Sequence, residues 1–507
     1  MDPTMLARWQ FASTTVYHFL IVPLSIGLTL LVAVMQTLAY RARHAAPAAA
    51  TAVGGDPDGS DGAAAAPVGP VASATADTWD RASRFWGRIM LVLFALGIVT
   101  GIVQEFQFGM NWSAYSRFVG DIFGAPLAME GLIAFFLEST FLGLWIFGRD
   151  LLSPRLHLAT IWLAAIGTVI SAYFILAANS FMQHPVGLVY SAEHRRVELT
   201  SIWKVLTNST QLLTFPHVVF AAILTAGGIL LSVSAWHLRK DGDAADPVHR
   251  KVAGLALGVV LFGAVSSSLV GHAQGQLMTE QQPMKMAAAE ALWDSKDHAS
   301  FSLFAYGDVE KGRNKIDIAI PDGLSILATN RPGGYVAGVN DIQQAEEAKY
   351  GPGSYIPVVW LAYWTFRLMI GFGALAGLLA AAVVVQWRRG RLTSSRRLLR
   401  IATWTVVLPL AANSAGWIFT ETARQPWLVY GLLRTKDGIS TNVGSGMVLT
   451  TLVGFTLLYG VLGVICFTLV RRIARTGPDP AAPAVADGPR DPDGPADESD
   501  DSQLSLV

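Results

Sequence analysis

Cysteine and charged residues are scarce in this sequence of 507 residues. It contains one cysteine, Cys466, and only 15% of its residues are Asp, Glu, Lys or Arg. A single thiol excludes an intrachain disulfide, a cysteine-ligated iron–sulfur cluster and a CxxCH haem attachment. Any redox cofactor therefore needs His, Met or carboxylate ligands. The formal net charge is zero, so no basic excess indicates nucleic-acid binding.

Apolar residues are abundant instead: they make up 52% of the chain, and the mean hydropathy is +0.42. Several runs exceed the roughly 18 apolar residues that cross a bilayer as a helix. The first, Val16 to Tyr40, is too long for a signal peptide and lacks a basic region beyond Arg8. The sequence predicts an all-α polytopic transmembrane helical bundle with nine spans, at about 14–40, 87–108, 125–148, 157–178, 212–237, 252–271, 356–387, 399–420 and 446–470.

Composition divides the chain into six segments. These are the first span (1–43), a linker (44–80), spans two to six (81–271), a long loop (272–355), spans seven to nine (356–475) and a tail (476–507). The linker and the tail are rich in Ala, Gly, Asp and Pro, so we expect both to be disordered. The long loop carries Trp293, Phe301 and the alternating run IDIAI, which predict an ordered and functional segment.

Basic residues cluster in alternate loops, for example at Arg41 and Arg43, Arg149 and Arg155, and from Arg388 to Arg400. The positive-inside rule then places the N-terminus and the loop 272–355 outside, and the linker and C-terminus in the cytoplasm.

Two of the ten histidines, His18 and His217, lie deep in apolar segments. Because an ionisable group costs several kcal/mol at that depth, we interpret both as candidate cofactor ligands rather than structural histidines. Met369 lies in the seventh span, where packing is the ordinary role of methionine. A thioether opposite an imidazole is also a recurring low-spin haem ligation. Beside it, Arg367 either pairs with haem propionates or lies at the membrane interface.

Four carboxylates lie within or at the edges of predicted spans: Glu105, Glu130, Glu138 and Glu421. Glu130 and Glu138 are eight residues apart, which on an α-helix places them within about 80° around the axis and ~12 Å along it. This spacing suits a polar path through the bundle. The alternative is a pair of helix-packing carboxylates that stay protonated.

Five motifs resemble subunit I of the cytochrome bd quinol oxidases. They are LARWQFASTTVYHFLIVPLSIG, EFQFGMNWSAYSRFVGDIFGAPLAMEGLIAFFLESTF, FPHVVFAA, FRLMIGFG and ETARQPW. The resemblance extends from about residue 5 to about residue 475 and implies a terminal respiratory oxidase of the bacterial inner membrane. It also implies a homologous-fold subunit II as partner and quinol and O2 as substrates. Whether a further small single-span subunit is also present stays open.

The resemblance implies three haems: a low-spin haem b, a high-spin haem b and a chlorin-type haem d that binds oxygen. His217 and Met369 match the axial ligands of the low-spin haem. His18 matches the ligand of one haem of the high-spin pair, and Glu421 matches the carboxylate ligand of the other. Which of these two residues binds haem b and which binds haem d stays open. A haem b in place of haem d, as in cyanide-insensitive members, is the alternative within the family.

The remaining expected site residues fall into three groups. Glu130 matches the glutamate beside the haem pair, and Glu138 with Ser139 matches a proton path from the cytoplasm. Glu105, Arg367, Arg424 and Trp427 are expected to contact the haems.

In MKMAAAEALW, Lys285 and Glu290 match the quinol-binding pair, so the loop 272–355 resembles the family's quinol loop in its shorter form. We expect Glu290 to take the proton of the quinol hydroxyl. Lys285 is expected to orient the ring oxygen or to hold Glu290 ionised. A helical salt bridge is the bland alternative, although a spacing of five is poor for one. The resemblance thus implies that quinol oxidation outside and proton uptake from the cytoplasm separate charge without a pump.

Three departures from the family pattern leave the expected ligands in place. Ala423 replaces the glycine of GRQPW, Phe181 replaces the tryptophan of WMQ, and Ser414 replaces an acidic residue before AGW. Two other classes fit less well. A haem–copper oxidase needs more intramembrane histidines than the two present. A secondary transporter leaves His18, His217 and Met369 unexplained, and the chain shows no internal repeat.

Overall fold

The computed structural model describes residues 2–51, 70–308 and 312–479. Within them the chain forms fifteen α-helices, three two-stranded antiparallel sheets and short 3₁₀ and π turns. In chain order the helices and strands are α1 (Pro3–Thr51), α2 (Pro70–Met110), α3 (Ser113–Met129), α4 (Phe136–Phe147), α5 (Pro154–Gln183), β1 (Leu188–Ser191), β2 (Arg196–Leu199), α6 (Ile202–Leu206), α7 (Ser209–Asp241), α8 (Pro247–Gln281), α9 (Pro283–Glu290), β3 (Phe301–Asp308), β4 (Arg313–Ile320), α10 (Gly323–Thr329), α11 (Val339–Tyr350), α12 (Val359–Arg388), α13 (Arg396–Ala402), α14 (Val407–Thr422), β5 (Trp427–Val429), β6 (Leu433–Arg434) and α15 (Ser445–Thr476).

Nine helical segments of these described residues are long and apolar enough to cross a membrane, which confirms the predicted nine-span bundle. Two spans are composite. The third joins α3 to α4 through a π-helical turn, Glu130–Phe135, and the eighth joins α13 to α14. Most spans are longer than predicted because the helices continue past the hydrocarbon with polar residues, where hydropathy falls. Helix α8, for example, runs to Gln281, ten residues beyond its predicted end.

The structure differs from the predicted linker 44–80 at both ends. Helix α1 continues to Thr51, and α2 begins at Pro70. The rest of that stretch, 52–69, and residues 480–507 of the predicted tail lie outside the described residues.

Ion pairs hold the last residue of the predicted linker, Asp80, against neighbouring segments. The Asp80 carboxylate is buried, with Arg43 of α1 at 3.5 Å and Arg149, which follows α4, at 3.6 Å. A carboxylate at this depth needs cationic partners, and these two fix the start of the second span against its neighbours.

Small residues let the spans that carry the candidate ligands approach each other. A Cβ added at Gly263 of α8 would lie 2.8 Å from the backbone nitrogen of Leu224 on α7. No side chain fits there, so glycine permits the close α7–α8 pairing that is typical of membrane helices.

The predicted loop is ordered in its described part and packs on the bundle. Its strand-like run IDIAI lies in β4, which confirms that prediction. Met284 of α9, Trp293 and Val339 of α11 form one apolar cluster with Tyr363 of α12. The loop is thereby docked on the seventh span, and this docking fixes the position of α9.

Candidate functional site

His18 lies on α1 and faces α2. Its Nδ1 is 2.8 Å from Thr100 Oγ1, and the Thr100 hydroxyl donates its proton to the Leu96 carbonyl at 2.9 Å. The hydroxyl oxygen therefore accepts from Nδ1–H. This leaves the lone pair on Nε2, the form of imidazole that binds a metal.

His217 on α7 is fixed in the same tautomer by a different partner. Its Nδ1 lies 3.1 Å from the backbone carbonyl oxygen of Ser267 on α8. A carbonyl only accepts, so Nδ1 carries the proton and Nε2 carries the lone pair. A histidine whose other nitrogen donates to a carbonyl is the usual arrangement of a metal ligand.

Met369 lies on α12 against Gly416 of α14. A Cβ added at residue 416 would fall 2.8 Å from Met369 Sδ, so glycine makes room for the thioether. Helix α8 packs against both α7 and α12, which places His217 and Met369 on two neighbours of one helix. Imidazole and thioether are a known ligand pair for low-spin haem.

Glu421, at the end of α14, is held at both oxygens. Asn179 Nδ2 donates to Oε1 at 2.9 Å, and Arg424 Nη2 donates to Oε2 at 2.6 Å. Each oxygen keeps a lone pair for a metal. Arg424 Nη1 is buried and has no hydrogen-bond partner within the part of the chain that the structure describes. An unpaired buried donor is costly, so this corner suits an acidic group of a cofactor.

Trp427 follows Arg424 and starts β5. Its ring stacks on Tyr355, with centroids 5.7 Å apart, and packs edge-on against Tyr350. These aromatic contacts join the strand after α14 to the docked loop.

Glu130 begins the π turn and Glu138 lies three residues after its end, so the offset of about 80° expected for a continuous α-helix does not apply between them. Glu130 accepts from Ser171 Oγ of α5 at 2.7 Å. Glu138 is buried against Gly167 of α5, where an added Cβ would lie 2.8 Å from the Glu138 nitrogen. Both carboxylates therefore face the fourth span.

Ser139 and Glu105 are placed differently from the two buried carboxylates. The Ser139 hydroxyl donates to the Phe136 carbonyl at 3.4 Å within its own helix. Glu105 is exposed on α2. Among the described residues, neither side chain forms a hydrogen bond with the Glu138 side chain.

Lys285, on the docked helix α9, is buried. Its Nζ donates to Gln183 Oε1 at 2.8 Å and to the Thr420 carbonyl at 3.2 Å. Thr420 directly precedes Glu421. Burial, together with the nearby Arg424 charge, lowers the pKa of Lys285 to about 7, while the Glu421 carboxylate acts in the opposite direction.

Glu290 ends α9 and forms a bidentate pair with Arg367 of α12. Arg367 Nη2 and Nη1 donate to its two oxygens at 2.5 and 3.2 Å, and Arg367 Nε donates to the Ser302 carbonyl. Burial raises the pKa of Glu290 to about 7, while Arg367 acts in the opposite direction. The carboxylate therefore stays close to the point where it can exchange a proton at neutral pH.

This pairing changes two expectations. The charge beside Glu290 is Arg367 rather than Lys285, because α9 presents the two residues to different spans: Glu290 to α12 and Lys285 to α14. The second expectation concerns Arg367, which was expected to contact a haem: its guanidinium pairs with a carboxylate of this chain, Glu290. The structure brings Lys285 to the helix of Glu421 and Glu290 to the helix of Met369.

Sequence reasoning missed the polar residues that hold the candidate ligands. Thr100, Asn179 and Gln183 orient His18, Glu421 and Lys285 respectively. Two of them lie in the motif NSFMQHP at the end of the fourth span, where amide side chains in an otherwise apolar helix were the available signal.

Comparisons with known proteins identify the family of the chain. The family described as "Cytochrome bd terminal oxidase subunit I" matches residues 6–53 and 71–478. "Cytochrome bd ubiquinol oxidase subunit 1" of Bacillus subtilis is 41% identical over 477 residues, 94% of each chain. "Cytochrome bd-II ubiquinol oxidase subunit 1" of Escherichia coli is 32% identical and covers 94% of this chain and 97% of its own length.

A solved structure of the bd oxidase from Geobacillus thermodenitrificans superimposes with a TM-score of 0.79 at 28% identity, and covers 94% of this chain and 99% of its own. With a multi-pass helical fold that matches an oxidase of known structure and a family match along nearly the whole chain, this protein belongs to the cytochrome bd terminal oxidase subunit I family.

Proposed function

We propose that this chain is the catalytic, haem-bearing subunit of an electrogenic quinol:oxygen oxidoreductase. The observation that carries the proposal is that His18 and His217 each engage Nδ1 in a hydrogen bond, while neither Nε2 has a hydrogen-bond partner among the described residues. Within membrane spans, two imidazoles held in this way fit haem ligation better than packing. The ubiquinol oxidases named among its relatives support a quinol as the electron donor.

In this proposal His217 and Met369 hold a low-spin haem b. His18 and Glu421 hold the two haems of a high-spin pair, haem b and haem d, and Arg424 offers its free Nη1 to an acidic group at that pair. When bound, the haems supply electron transfer and the chemistry of oxygen reduction. Extraction of the haems and a pyridine-haemochrome assay distinguish haem d from a second high-spin haem b.

Helix α9 is the proposed site of quinol oxidation. Glu290 takes a hydroxyl proton, Arg367 holds that carboxylate in place through two hydrogen bonds, and Lys285 orients the ring oxygen. Lys285 reaches α14 and Glu290 reaches α12, so the proposed quinol site contacts the helices that carry Glu421 and Met369.

Glu138 and Glu130 are proposed to deliver protons from the opposite side of the bundle. We place the N-terminus and the docked loop outside and the C-terminus in the cytoplasm. Protons released at Glu290 and protons taken up through Glu138 then lie on opposite faces, which separates charge without a pump. A subunit II partners this chain in the same membrane.

The Glu138→Gln variant tests the proton path. Glutamine keeps the shape of the side chain but does not release a proton. We expect oxygen uptake to fall by on the order of 10²-fold or more, while quinol still reduces the low-spin haem. Glu198→Gln, at a half-buried position in β2, is the control and should turn over normally. Wild-type turnover in Glu138→Gln would refute this role.

The Gly416→Ala variant tests the ligation by Met369. The added Cβ would fall 2.8 Å from Met369 Sδ and displace the thioether. We expect a weaker low-spin band and a lower midpoint potential, because thioether ligation raises the potential of a haem. Gly373→Ala on α12 is the control, since a Cβ there meets no atom within 4 Å. An unchanged potential in Gly416→Ala would argue against Met369 as a ligand.

A further inference from the structure

A basic cavity lies at the end of the bundle that we place in the cytoplasm, far from α9. It has a volume of about 310 Å³ and is lined by Trp236, Arg239, Lys240, Arg396 and Arg400. The first three residues end α7, and the two others lie one turn apart on α13, which packs against α7. Five side chains from two spans thus line one open cavity that carries four positive charges.

Three of these four charges lack partners of their own. Arg239 Nε is buried without a hydrogen-bond partner, and neither Arg396 nor Arg400 forms a side-chain hydrogen bond or ion pair within residues 2–51, 70–308 and 312–479. Lys240 has the Asp241 carboxylate at 3.9 Å and the Trp236 ring, whose centroid lies 5.4 Å from Nζ. Four neighbouring cations repel one another, so an anion in the cavity is strongly favoured.

The surroundings of the cavity indicate which anion fits. Below Arg400 the chain continues into the eighth span with three exposed apolar side chains: Ile401 is 57% exposed, Trp404 68% and Val407 48%. Trp236, on the opposite wall, is the kind of residue that lies at headgroup level in membrane proteins. A ligand in the cavity therefore has a basic environment for its head and an apolar surface beside it for a chain.

We propose that this cavity binds the phosphate-bearing headgroup of an anionic phospholipid, with an acyl chain along Ile401, Trp404 and Val407. Arg396 and Arg400 donate to the phosphate oxygens, for which planar guanidinium groups are well suited. Basic pockets between spans are the recurring form of such headgroup sites. Free phosphate is an anion, as the headgroup is, but it has no acyl chain. Only the phospholipid would therefore contact the apolar side chains beside the cavity.

The test uses the purified oxidase complex in detergent, stripped of lipid and titrated with phosphatidylglycerol, with bound lipid counted by native mass spectrometry. For Arg396→Gln/Arg400→Gln we expect affinity on the order of thirtyfold lower, with haem content unchanged. Arg397→Gln removes an exposed charge from the same helix outside the cavity and should bind as the wild type does. Arg396→Lys/Arg400→Lys keeps both charges and should retain most of the binding, which separates loss of charge from misfolding.

Two further titrations identify the ligand. Phosphatidylcholine, which has no net charge, should bind far more weakly than phosphatidylglycerol, and inorganic phosphate at equal concentration should not displace the bound lipid. Equal lipid affinity in the double glutamine variant and the wild type would overturn the proposal. So would tight binding of phosphatidylcholine, or displacement by phosphate.

Discussion

His217→Ala is expected to abolish the absorption of the low-spin haem while the high-spin pair stays partly occupied. The imidazole is the strong ligand of the proposed pair, and a thioether alone binds haem iron weakly. The change also removes the hydrogen bond from Nδ1 to the Ser267 carbonyl, so α7 and α8 lose one polar contact. The measurement is the reduced-minus-oxidised spectrum of the purified complex.

His272→Ala is a matched control for that variant. His272 lies one turn after Ser267 on α8, is exposed, and bonds to Asn330 through Nε2 at 3.1 Å. Its loss should leave the spectrum unchanged. If His217→Ala kept a wild-type low-spin band, His217 would be a packing residue and another ligand would have to be sought.

Glu290→Gln and Lys285→Met are expected to slow quinol-driven oxygen uptake by on the order of 10²-fold or more, with normal haem content. Glutamine still accepts hydrogen bonds from Arg367, so the buried guanidinium keeps a partner. Glu290→Ala would leave that charge unpaired, a loss of about 3–5 kcal/mol in folding free energy, and is the less clean variant. Electrons supplied by a chemical reductant that bypasses quinol should restore oxygen uptake in both variants.

Two surface substitutions control for charge: Glu280→Gln at the end of α8 and Lys296→Met in the docked loop, both at exposed positions. Either should oxidise quinol at the wild-type rate. Loss of the haem-pair spectrum in Glu290→Gln or Lys285→Met, or full quinol oxidation, would refute the assignment of α9.

The pH profile adds a second measurement. Glu290 must be ionised to accept a proton, and burial raises its pKa to about 7 while Arg367 opposes that shift. The rate of quinol oxidation should therefore rise with pH through the neutral range. Arg367→Gln removes the opposing charge, so its rising limb should move to higher pH. An unmoved limb would show that Glu290 is not the titrating base.

The spans and the candidate ligands could be predicted because their signals are local. A run of apolar residues, or a histidine within one, lies in a short stretch of sequence and needs no knowledge of the fold. The partners of those residues depend on packing between distant segments. Glu290 and Arg367 are 77 residues apart, and nothing near either indicates that α9 docks on α12.

The helical ends of the linker escaped prediction for a similar reason. Their composition is typical of a disordered segment. Composition gives no information on contacts with distant residues, such as the ion pairs of Asp80 with Arg43 and Arg149. The sequence also left two roles open for Arg367, and only the fold shows that its guanidinium pairs with Glu290.

The third span is a continuous helix from its π-helical turn, Glu130–Phe135, through Phe136 and Leu137 to Glu138. Substitutions inside it change side chains one at a time. Deleting a single residue between the turn and Glu138 would instead rotate everything that follows by about 100°, with a shift of about 1.5 Å along the axis. Glu138 would leave the groove beside Gly167. This stretch should therefore accept exchanges of residues but no gain or loss of one.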